Sequence, residues 1–312
     1  MTGLGETVKD VQTIAALDLG SNSFLMTIAD VDSEGTILKV HYDGIQMTRL
    51  SEKVGATGRI QPTALKRAEA CFEAYAAEIK KHPVDRIVAV TTSAARDAEN
   101  RQEFLDLANR YQIQPEVIAG EREAELTFSG ALQTEGEFSS PIGVIDIGGG
   151  STEILLKDPS TYRKSFNIGS VRLTEAHVHA QPISEEDVQA MEQRVFESFK
   201  ELPTNVELGD LVAVAGTPVT LACLQLDMAY DEETLRGYRL KTDDLKSLRD
   251  RLAKMTLDQR RDLIGMPAGR EDVIVAGATI LYVFCKSLNA SDILVSTKGV
   301  RHGLLSDAGK NR

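Results

Sequence analysis

Apolar and polar positions alternate with two different periods along this chain, and one arrangement occurs near the start of each half. The stretches AALDLGSNSFLM (15–26) and GVIDIGGGSTEI (143–154) each contain an apolar run, an aspartate, a turn of glycine and small polar residues, and a second apolar run. Such residues accept the backbone angles of a tight turn between antiparallel strands. Both stretches therefore predict β-hairpins, with Asp18 and Asp146 at corresponding positions.

Longer segments between these strands carry apolar residues at helical spacing. Residues 62–82, PTALKRAEACFEAYAAEIKKH, place Leu65, Ala68 and Phe72 on one helix face, and Pro62 suits the first turn. Ile87 to Val90 predict a buried strand that leads into a Thr/Ser turn and a new helix, and similar alternation continues to the end of the chain. Strands that alternate with helices in both halves predict an α/β architecture, with ligands beyond the strand ends.

The repeated hairpin indicates two related domains with a cleft between them. We assign residues 1–120 to the first domain and residues 121–299 to the second. We expect a C-terminal helix of about residues 300–312 to pack back on the first domain. The chain length of 312 residues is sufficient for two cores of ordinary size.

Charge and cysteine content narrow the function classes. The chain has 35 Lys and Arg against 47 Asp and Glu, a formal net charge of −12, so we expect neither nucleic acid nor an acidic membrane as a partner. The longest uncharged apolar stretch, Val273 to Cys285, is too short to span a bilayer. Residues 1–12 lack the pattern of a signal peptide, and the three cysteines are widely separated. These features predict a cytoplasmic protein without a disulfide framework or zinc site.

The two glycine turns also predict a kind of ligand. Backbone N–H groups in such a turn point into one concavity, which suits an anion. The aspartate just before each turn would repel phosphate unless a cation lay between them. The repeat therefore suggests two facing phosphate turns with a divalent metal between them, although either turn alone also fits an ordinary structural turn.

Eight short motifs extend this interpretation across almost the whole chain. In order from about residue 15 to residue 305, they are LDLGSNS, TTSAARDAEN, AGEREA, VIDIGGGSTE, NIGSVRLTE, VAGTPVTL, REDVIVAG and KGVRHGLL. They resemble the motifs of the exopolyphosphatase and guanosine pentaphosphate phosphatase (Ppx/GppA) family, which shares a superfamily with actin and hexokinase. The resemblance implies two actin-like (ribonuclease H-like) domains with an interdomain cleft, in the family's short two-domain form. It further implies Mg²⁺-dependent release of terminal phosphate from inorganic polyphosphate or pppGpp, and a homodimer.

The resemblance also assigns a catalytic base. The family uses the glutamate directly before the alanine of a Gly-x-Glu-Glu-Ala stretch, which corresponds to Glu123 in AGEREA. Here Arg122 stands where the family has a first glutamate, so Glu121 is a competing candidate. Alignment on both Gly120 and Ala124 favours Glu123.

The implied metal ligands are Asp18, Asp146 and Glu153. Asp146 and Glu153 form the preferred pair, because Mg²⁺ commonly takes only one or two carboxylates and keeps several waters. For Asp18, stabilisation of the turn is a competing role.

The implied phosphate-binding residues lie in the two turns and in three other motifs. They are Ser21, Asn22, Ser23, Arg96, Gly148, Gly149, Gly150, Ser151, Thr152, Gly169, Ser170 and Arg270. Arginine suits this task because its fork of donors can hold a phosphate at two points. Lys298 and Arg301 could extend a basic track, but solvated surface positions are expected for them, as for His177 and His179.

We therefore predict an exopolyphosphatase, with a pppGpp phosphohydrolase as the alternative that uses the same site. The lack of further motifs after the last glycine motif favours polyphosphate modestly. A kinase of the same superfamily is disfavoured by Glu123 and the TTSAARDAEN stretch. A non-catalytic sensor of polyphosphate or alarmone would lack the base or a metal carboxylate, and this chain has all of them.

Overall fold

A computed structural model describes residues 10–133, 138–157, 161–203, 206 and 208–311. The expectation about a signal peptide therefore falls mostly outside the described residues. The described chain forms two mixed sheets covered by helices, which confirms the α/β prediction.

The first sheet has five strands in the order β3-β2-β1-β4-β5. Strands β1, β2 and β3 form an antiparallel meander, and β4 and β5 continue the sheet parallel to β1. The bounds are β1 Gln12–Leu19, β2 Ser23–Val31, β3 Ile37–Met47, β4 Arg86–Thr91 and β5 Pro115–Val117. The predicted first hairpin is β1 and β2, with Leu19 opposite Phe24 and Asp18 opposite Leu25.

The second sheet repeats this topology and adds one strand. Its order is β10-β11-β9-β6-β7-β8, with an antiparallel meander of β6, β7 and β8 followed by parallel β9 and β11. The bounds are β6 Ile142–Ile147, β7 Thr152–Lys157, β8 Tyr162–Phe166, β9 Asp210–Val214, β10 Arg239–Lys241 and β11 Asp292–Val295. The predicted second hairpin is β6 and β7, with Asp146 directly opposite Glu153.

Thirteen helices lie in the described parts of the chain. Their bounds are α1 Val54–Thr57, α2 Pro62–Ile79, α3 Ser93–Asp97, α4 Arg101–Asn109, α5 Gly120–Ala131, α6 Ser170–His177, α7 Glu185–Phe199, α8 Gly216–Leu226, α9 Glu232–Leu235, α10 Thr242–Ala253, α11 Leu257–Arg261, α12 Ile274–Ser287 and α13 Val300–Lys310. Among these helices, none combines the length and the apolar character that a bilayer span requires.

Each sheet has its own apolar core. In the first, Phe24 of β2, Phe72 of α2 and Phe104 of α4 pack with ring centroids 5.6 to 5.9 Å apart. In the second, α12 is buried along almost its whole length between the sheet and α7 and α10. Burial on all sides explains why the stretch that contains α12 is uniformly apolar.

The C-terminal helix α13 lies on the opposite face of the first sheet. Leu305 and Ala308 pack with Ile14 and Ala16 of β1. Two glycines, Gly130 of α5 and Gly303 of α13, bring these helices close together. A Cβ on Gly303 would lie 1.9 Å from the Leu126 carbonyl oxygen, and one on Gly130 would lie 2.0 Å from the Gly299 carbonyl oxygen. Helix α5 also contacts the second sheet through β6, β7 and β8. It therefore connects the first sheet, through α13, with the second.

Candidate active site

The two hairpin turns face each other and touch. Each is closed by the same hydrogen bond: Gly20 N–H donates to the Ser23 carbonyl at 3.1 Å, and Gly148 N–H donates to that of Ser151 at 3.0 Å. A Cβ on Gly149 would lie 3.2 Å from the Cβ atoms of both Ser21 and Asn22. Glycine at position 149 therefore allows the close approach of the two turns.

A cleft of about 510 Å³ opens between the two sheets at this contact. Eleven of the sixteen predicted site residues line it: Asp18, Ser21, Asn22, Ser23, Glu123, Asp146, Gly148, Gly149, Ser151, Ser170 and Arg270. These residues come from β1, the start of β2, α5, β6, the two turns, the start of α6 and the segment before α12. The structure therefore brings together residues up to 252 positions apart in sequence.

The other five predicted residues lie just behind the cleft wall. Glu153 belongs to the carboxylate cluster described below, and Arg96 contacts that cluster through Glu123. Thr152 turns its hydroxyl away and donates it to the Ile168 carbonyl at 2.7 Å. Gly150 and Gly169 pack against neighbouring loops, and a Cβ on Gly169 would lie 2.4 Å from the Gly149 carbonyl oxygen. These two glycines thus shape the second turn.

Two of the predicted donors are already used within the protein. The Ser170 amide donates to the Gly148 carbonyl at 2.9 Å, so it is not free for a ligand. The Ser21 hydroxyl accepts a hydrogen bond from Ala94 N–H at 3.1 Å and lies 2.7 Å from the Ser93 hydroxyl. Ser21 therefore joins the first turn to the start of α3. In contrast, Asn22 Oδ1 is buried without a hydrogen-bond partner among the described residues.

Four carboxylates converge at the base of the cleft: Glu123, Asp146 and Glu153 are buried, and Asp18 is half-buried. Burial raises the pKa of Asp146 to about 6, although a hydrogen bond from Thr127 opposes the shift. Burial, and then the charges of Glu153, Asp146 and Asp18, raise the pKa of Glu123 well above its ordinary value. So much negative charge out of water is costly unless a cation or a proton compensates it.

Hydrogen bonds hold part of this cluster in place. The Thr127 hydroxyl donates to Asp146 Oδ2 at 2.8 Å, and the Ser165 hydroxyl donates to Glu153 Oε1 at 2.6 Å. Within the described residues, Glu123 Oε2 and Glu153 Oε2 are buried and accept no hydrogen bond. Buried oxygens without donors are uncommon in folded proteins, and these two can accept a proton, a water molecule or a cation.

The cluster fits a divalent cation only in a limited way. No set of three or more His, Cys, Asp or Glu side chains in the described parts of the chain is arranged to enclose a metal ion. A complete protein cage is therefore not formed by Asp18, Asp146 and Glu153. Magnesium does not require one, because it binds through one or two carboxylates together with waters and substrate phosphates. The unsatisfied oxygen of Glu153 and the carboxylate of Asp146 beside it suit this mode.

Two of the predicted arginines supply positive charge in or beside the cleft. Arg96 Nη1 lies 3.7 Å from Glu123 Oε2 and donates to the Ile118 carbonyl at 2.9 Å. Arg270 is 8 % exposed and forms no ion pair with any described residue, and burial lowers its pKa to about 10. It remains cationic at neutral pH, so Arg270 is a buried positive charge available to an anion in the cleft.

Gly216, the first residue of α8, makes room for that arginine. A Cβ at this position would lie 1.9 Å from the Arg270 guanidinium. The preceding residue, Ala215, has a φ of 74°, which is unusual for a residue other than glycine. The VAGTPVTL motif therefore acts as the backbone surface against which Arg270 rests.

The remaining basic candidates are paired with acids, although Arg301 also lines the cleft and its charge opposes the rise in the pKa of Asp18. Lys298 pairs with Glu232, and Arg301 pairs with Asp43 at 2.9 Å. The side chain of His179 is exposed and its Nδ1 lies 2.8 Å from Asp187. The basic track suggested for Lys298 and Arg301 is thus neutralised by neighbouring acids.

The structure also adds cleft residues that the sequence analysis missed. Ser93 lies in the same motif as Arg96, so the motif itself was an available signal. The outer wall has no such signal and is mainly apolar, formed by Ile45, Met47, Val219, Tyr230 and Pro267. Tyr230 and Ile45 are each 54 % exposed. These residues come from separate elements and share a surface only after folding.

Comparison with known proteins agrees with this geometry. The model of the Ppx/GppA phosphatase family matches residues 27–311. The chain is 37 % identical over 289 residues to exopolyphosphatase 2 of Mycobacterium tuberculosis, covering 88 % of this chain and 90 % of that protein. It is 28 % identical to the guanosine-5′-triphosphate,3′-diphosphate pyrophosphatase of Pseudoalteromonas atlantica, covering 93 % of this chain and 57 % of that protein.

A solved structure gives the same result for the fold. The crystal structure of an exopolyphosphatase from Cytophaga hutchinsonii superposes with a TM-score of 0.83 at 28 % identity, over 96 % of this chain and 98 % of that one. The predicted actin-like fold is therefore confirmed. From the family match and the cleft together, the chain belongs to the Ppx/GppA phosphatase family, and it is a hydrolase of phosphoanhydrides.

Proposed function

We propose that this chain is an exopolyphosphatase that releases terminal orthophosphate from inorganic polyphosphate, with Glu123 orienting or deprotonating the attacking water. The observation that carries the proposal is the position of Glu123. Its buried carboxylate, with one oxygen lacking any hydrogen-bond donor among the described residues, lines the cleft between the two glycine turns. Phosphoryl transfer needs mainly positioning, charge neutralisation and one group that directs the nucleophile.

Glu123 has the surroundings that a base requires. Its raised pKa reflects burial and three neighbouring carboxylates, which make the carboxylate a stronger proton acceptor. Arg96 Nη1 lies 3.7 Å from Glu123 Oε2, and its positive charge opposes the rise in the pKa of Glu123. The competing candidate, Glu121, is exposed on the same helix and does not line the cleft.

The phosphate chain is held, in this proposal, by the two turns and by Arg270. Ser23, Gly148, Gly149 and Ser151 border the cleft beside Glu123. Arg270 approaches from the second sheet's side and has no competing carboxylate among the described residues. Positive charge and turn donors on two sides suit a terminal phosphate better than a neutral substrate.

Asp146 and Glu153 would hold Mg²⁺, with Asp18 close enough to contribute through its charge. When bound, the cation would neutralise charge on the reacting phosphate oxygens. Thr127 and Ser165 fix the orientations of Asp146 and Glu153 through hydrogen bonds. The homodimer and the cytoplasmic location remain predictions from the sequence.

A second candidate, pppGpp 5′-phosphohydrolase, is favoured by one specific feature. The outer cleft wall of Ile45, Val219, Tyr230 and neighbours is apolar, which suits a nucleoside better than a further run of phosphates. The chemistry at Glu123 would be the same. The relatives include proteins named for each activity.

One experiment tests both candidates. Phosphate release would be measured from polyphosphates of defined length, pppGpp and ATP, with and without Mg²⁺, for the wild type and for Glu123→Gln. We expect Mg²⁺-dependent release from polyphosphate that Glu123→Gln abolishes. Release from pppGpp alone would select the second candidate, whereas no release from any substrate would leave a non-catalytic sensor. Release that survives Glu123→Gln would remove that residue from the mechanism.

A further inference from the structure

A short segment, residues 48–53, links the two sides of the cleft. It begins directly after β3 and is anchored on the first glycine turn: Thr48 and Arg49 both donate their N–H groups to the Asn22 carbonyl, at 3.1 and 2.8 Å. Ser51 N–H donates to the Ser21 carbonyl at 2.8 Å. The backbone of this segment therefore moves with the first turn.

The segment is held in an unusual conformation. Arg49 and Lys53 have φ values of 50° and 57°, in the left-handed region that non-glycine residues rarely occupy. Arg67 braces it from α2 by donating to the Thr48 carbonyl at 2.7 Å and to Glu52 at 2.6 Å. Such strain persists only where the surroundings determine it, which points to a functional constraint on Arg49.

The side chain of Arg49 crosses to the other side of the cleft. Its Nη2 atom lies 2.5 Å from Asp272 Oδ2, although the two residues are 223 positions apart. Asp272 follows Arg270 by two residues and lies just before α12. Two hydrogen bonds to Glu271 hold the loop that contains Arg270 and Asp272. Arg260 donates to the Glu271 carbonyl at 3.0 Å, and Gly269 N–H donates to Glu271 Oε2 at 2.7 Å. Arg49 thus completes the restraint of the loop that carries Arg270.

We propose that Arg49 and Asp272 form a positioning pair that sets Arg270 against the first glycine turn, so that a phosphate is gripped from both sides at once. The inference rests on the proposed function for its substrate class, a terminal phosphate. Neither member of the pair touches the reacting atoms. Their effect passes through Arg270, whose buried guanidinium forms no ion pair with any described residue.

A second contact provides the matched control. Lys53 N–H, in the same segment, donates to Glu175 Oε1 at 2.8 Å across the cleft. Glu175 lies in α6 and does not belong to the loop that carries Arg270. If the Arg49–Asp272 pair only held the two sides of the cleft together, its loss would affect binding as the loss of the Lys53–Glu175 contact does. A positioning pair would instead affect binding through Arg270.

The experiment measures tripolyphosphate binding by calorimetry, and KM and kcat for its hydrolysis, in full-length variants. Arg49→Gln and Asp272→Asn should each weaken binding about tenfold and raise KM similarly, with kcat changed less than about threefold. In an Arg270→Gln background, Arg49→Gln should add less than about twofold. Arg49→Lys should recover part of the loss, and Glu175→Ala, which removes the acceptor of the Lys53 N–H, should stay within about twofold of wild type.

Two results would overturn the proposal: equal losses from Arg49→Gln with and without Arg270, or a loss from Glu175→Ala as large as that from Asp272→Asn. If Arg49→Gln does not fold, Asp272→Asn in the two backgrounds tests the same pair. Because binding is measured separately, the two proposals fail separately. Tripolyphosphate binding without hydrolysis would refute the proposed function alone, and hydrolysis with additive losses would refute the positioning pair alone.

Discussion

Asp18 and Asp146 occupy corresponding positions in the two hairpins, and the charge of Asp146 acts directly on Asp18. Burial, and then the neighbouring Asp146 carboxylate, raise the pKa of Asp18 to about 7. The two hairpins differ in the residue opposite the aspartate, which is Leu25 in the first and Glu153 in the second. The second hairpin therefore carries two carboxylates where the first carries one, and only the second presents a pair suited to a cation.

Replacing Asp18 by asparagine should stabilise the metal-free protein. Because the folded state raises the pKa of Asp18, the carboxylate opposes folding at neutral pH, and this cost falls as pH drops through about 7. We expect Asp18→Asn to raise the free energy of unfolding by about 1–3 kcal/mol at pH 7.5 in EDTA. Urea denaturation measures this change in the free energy of unfolding. Asp43→Asn is the control, since Asp43 also lines the cleft but pairs with Arg301, and it should give no gain. A loss of stability in Asp18→Asn would contradict the electrostatic interpretation.

Magnesium should stabilise the wild type through Asp146 and Glu153. A cation that binds only the folded state raises the unfolding temperature in proportion to the logarithm of its concentration above Kd. We expect millimolar MgCl₂ to raise the unfolding temperature of the wild type by a few degrees, and to have little effect on Glu153→Gln or Asp146→Asn. The control is NaCl at equal ionic strength. Equal shifts in all three proteins would exclude these carboxylates as ligands.

Glu123→Gln should abolish most phosphate release and leave the fold intact. Glutamine keeps the shape of the side chain but cannot accept a proton, and loss of a general base typically costs about 10²–10⁴-fold in rate. Glu121→Gln, on the exposed side of the same helix, should retain wild-type activity. Initial rates of phosphate release measure both. Comparable losses in the two variants would contradict the assignment.

Gly216→Ala should weaken phosphate binding with little loss of stability. The added Cβ would lie 1.9 Å from the Arg270 guanidinium, and that group is the far end of a flexible side chain that can move aside. We expect an increase in KM of about tenfold and an unfolding temperature within a few degrees of wild type. Gly55→Ala is the control, because a Cβ there meets only Arg172, at 3.7 Å. Unchanged KM in Gly216→Ala would argue against a role for Arg270 in binding.

His302 should make the protein less stable as the medium becomes acidic. Burial, and then the charges of Arg301 and Lys298, lower the pKa of this histidine well below 6.5, and its Nδ1 accepts a hydrogen bond from Gly299 N–H at 3.3 Å. Below pH 6.5, His302 is therefore protonated in the unfolded chain while it stays neutral in the folded protein. This contribution should reduce stability by about 1 kcal/mol between pH 7.5 and 5.5.

The histidine's contribution is measured as a difference, because the buried carboxylates of the cleft change stability in the opposite direction over the same range. Unfolding free energies of the wild type and His302→Asn would be compared at both pH values. The wild type should lose about 1 kcal/mol more than the variant. Parallel losses in the two proteins would refute the prediction.

Much of the fold followed from local pattern. The turns at Gly20 and Gly148, the helix that begins at Pro62 and the buried stretch that contains α12 each have a sequence signal that depends on near neighbours. The eight motifs also indicated eleven residues that line one cleft. In contrast, the ion pairing of Lys298 and Arg301, and the use of the Ser170 amide by Gly148, were not evident. Those contacts join residues that have no fixed spacing in the chain.

The sequence by itself determined the two hairpins and the α/β class, and it indicated eleven residues that the fold brings to one cleft. Hairpins and helices depend on interactions within a few residues, which a linear pattern records. Only the tertiary structure decided that four carboxylates share one site, that Arg270 rests against Gly216 without an ion pair to any described residue, and that Arg49 reaches Asp272. Burial and charge pairing depend on distances between residues far apart in the chain, and those distances exist only after the two sheets have packed around the cleft.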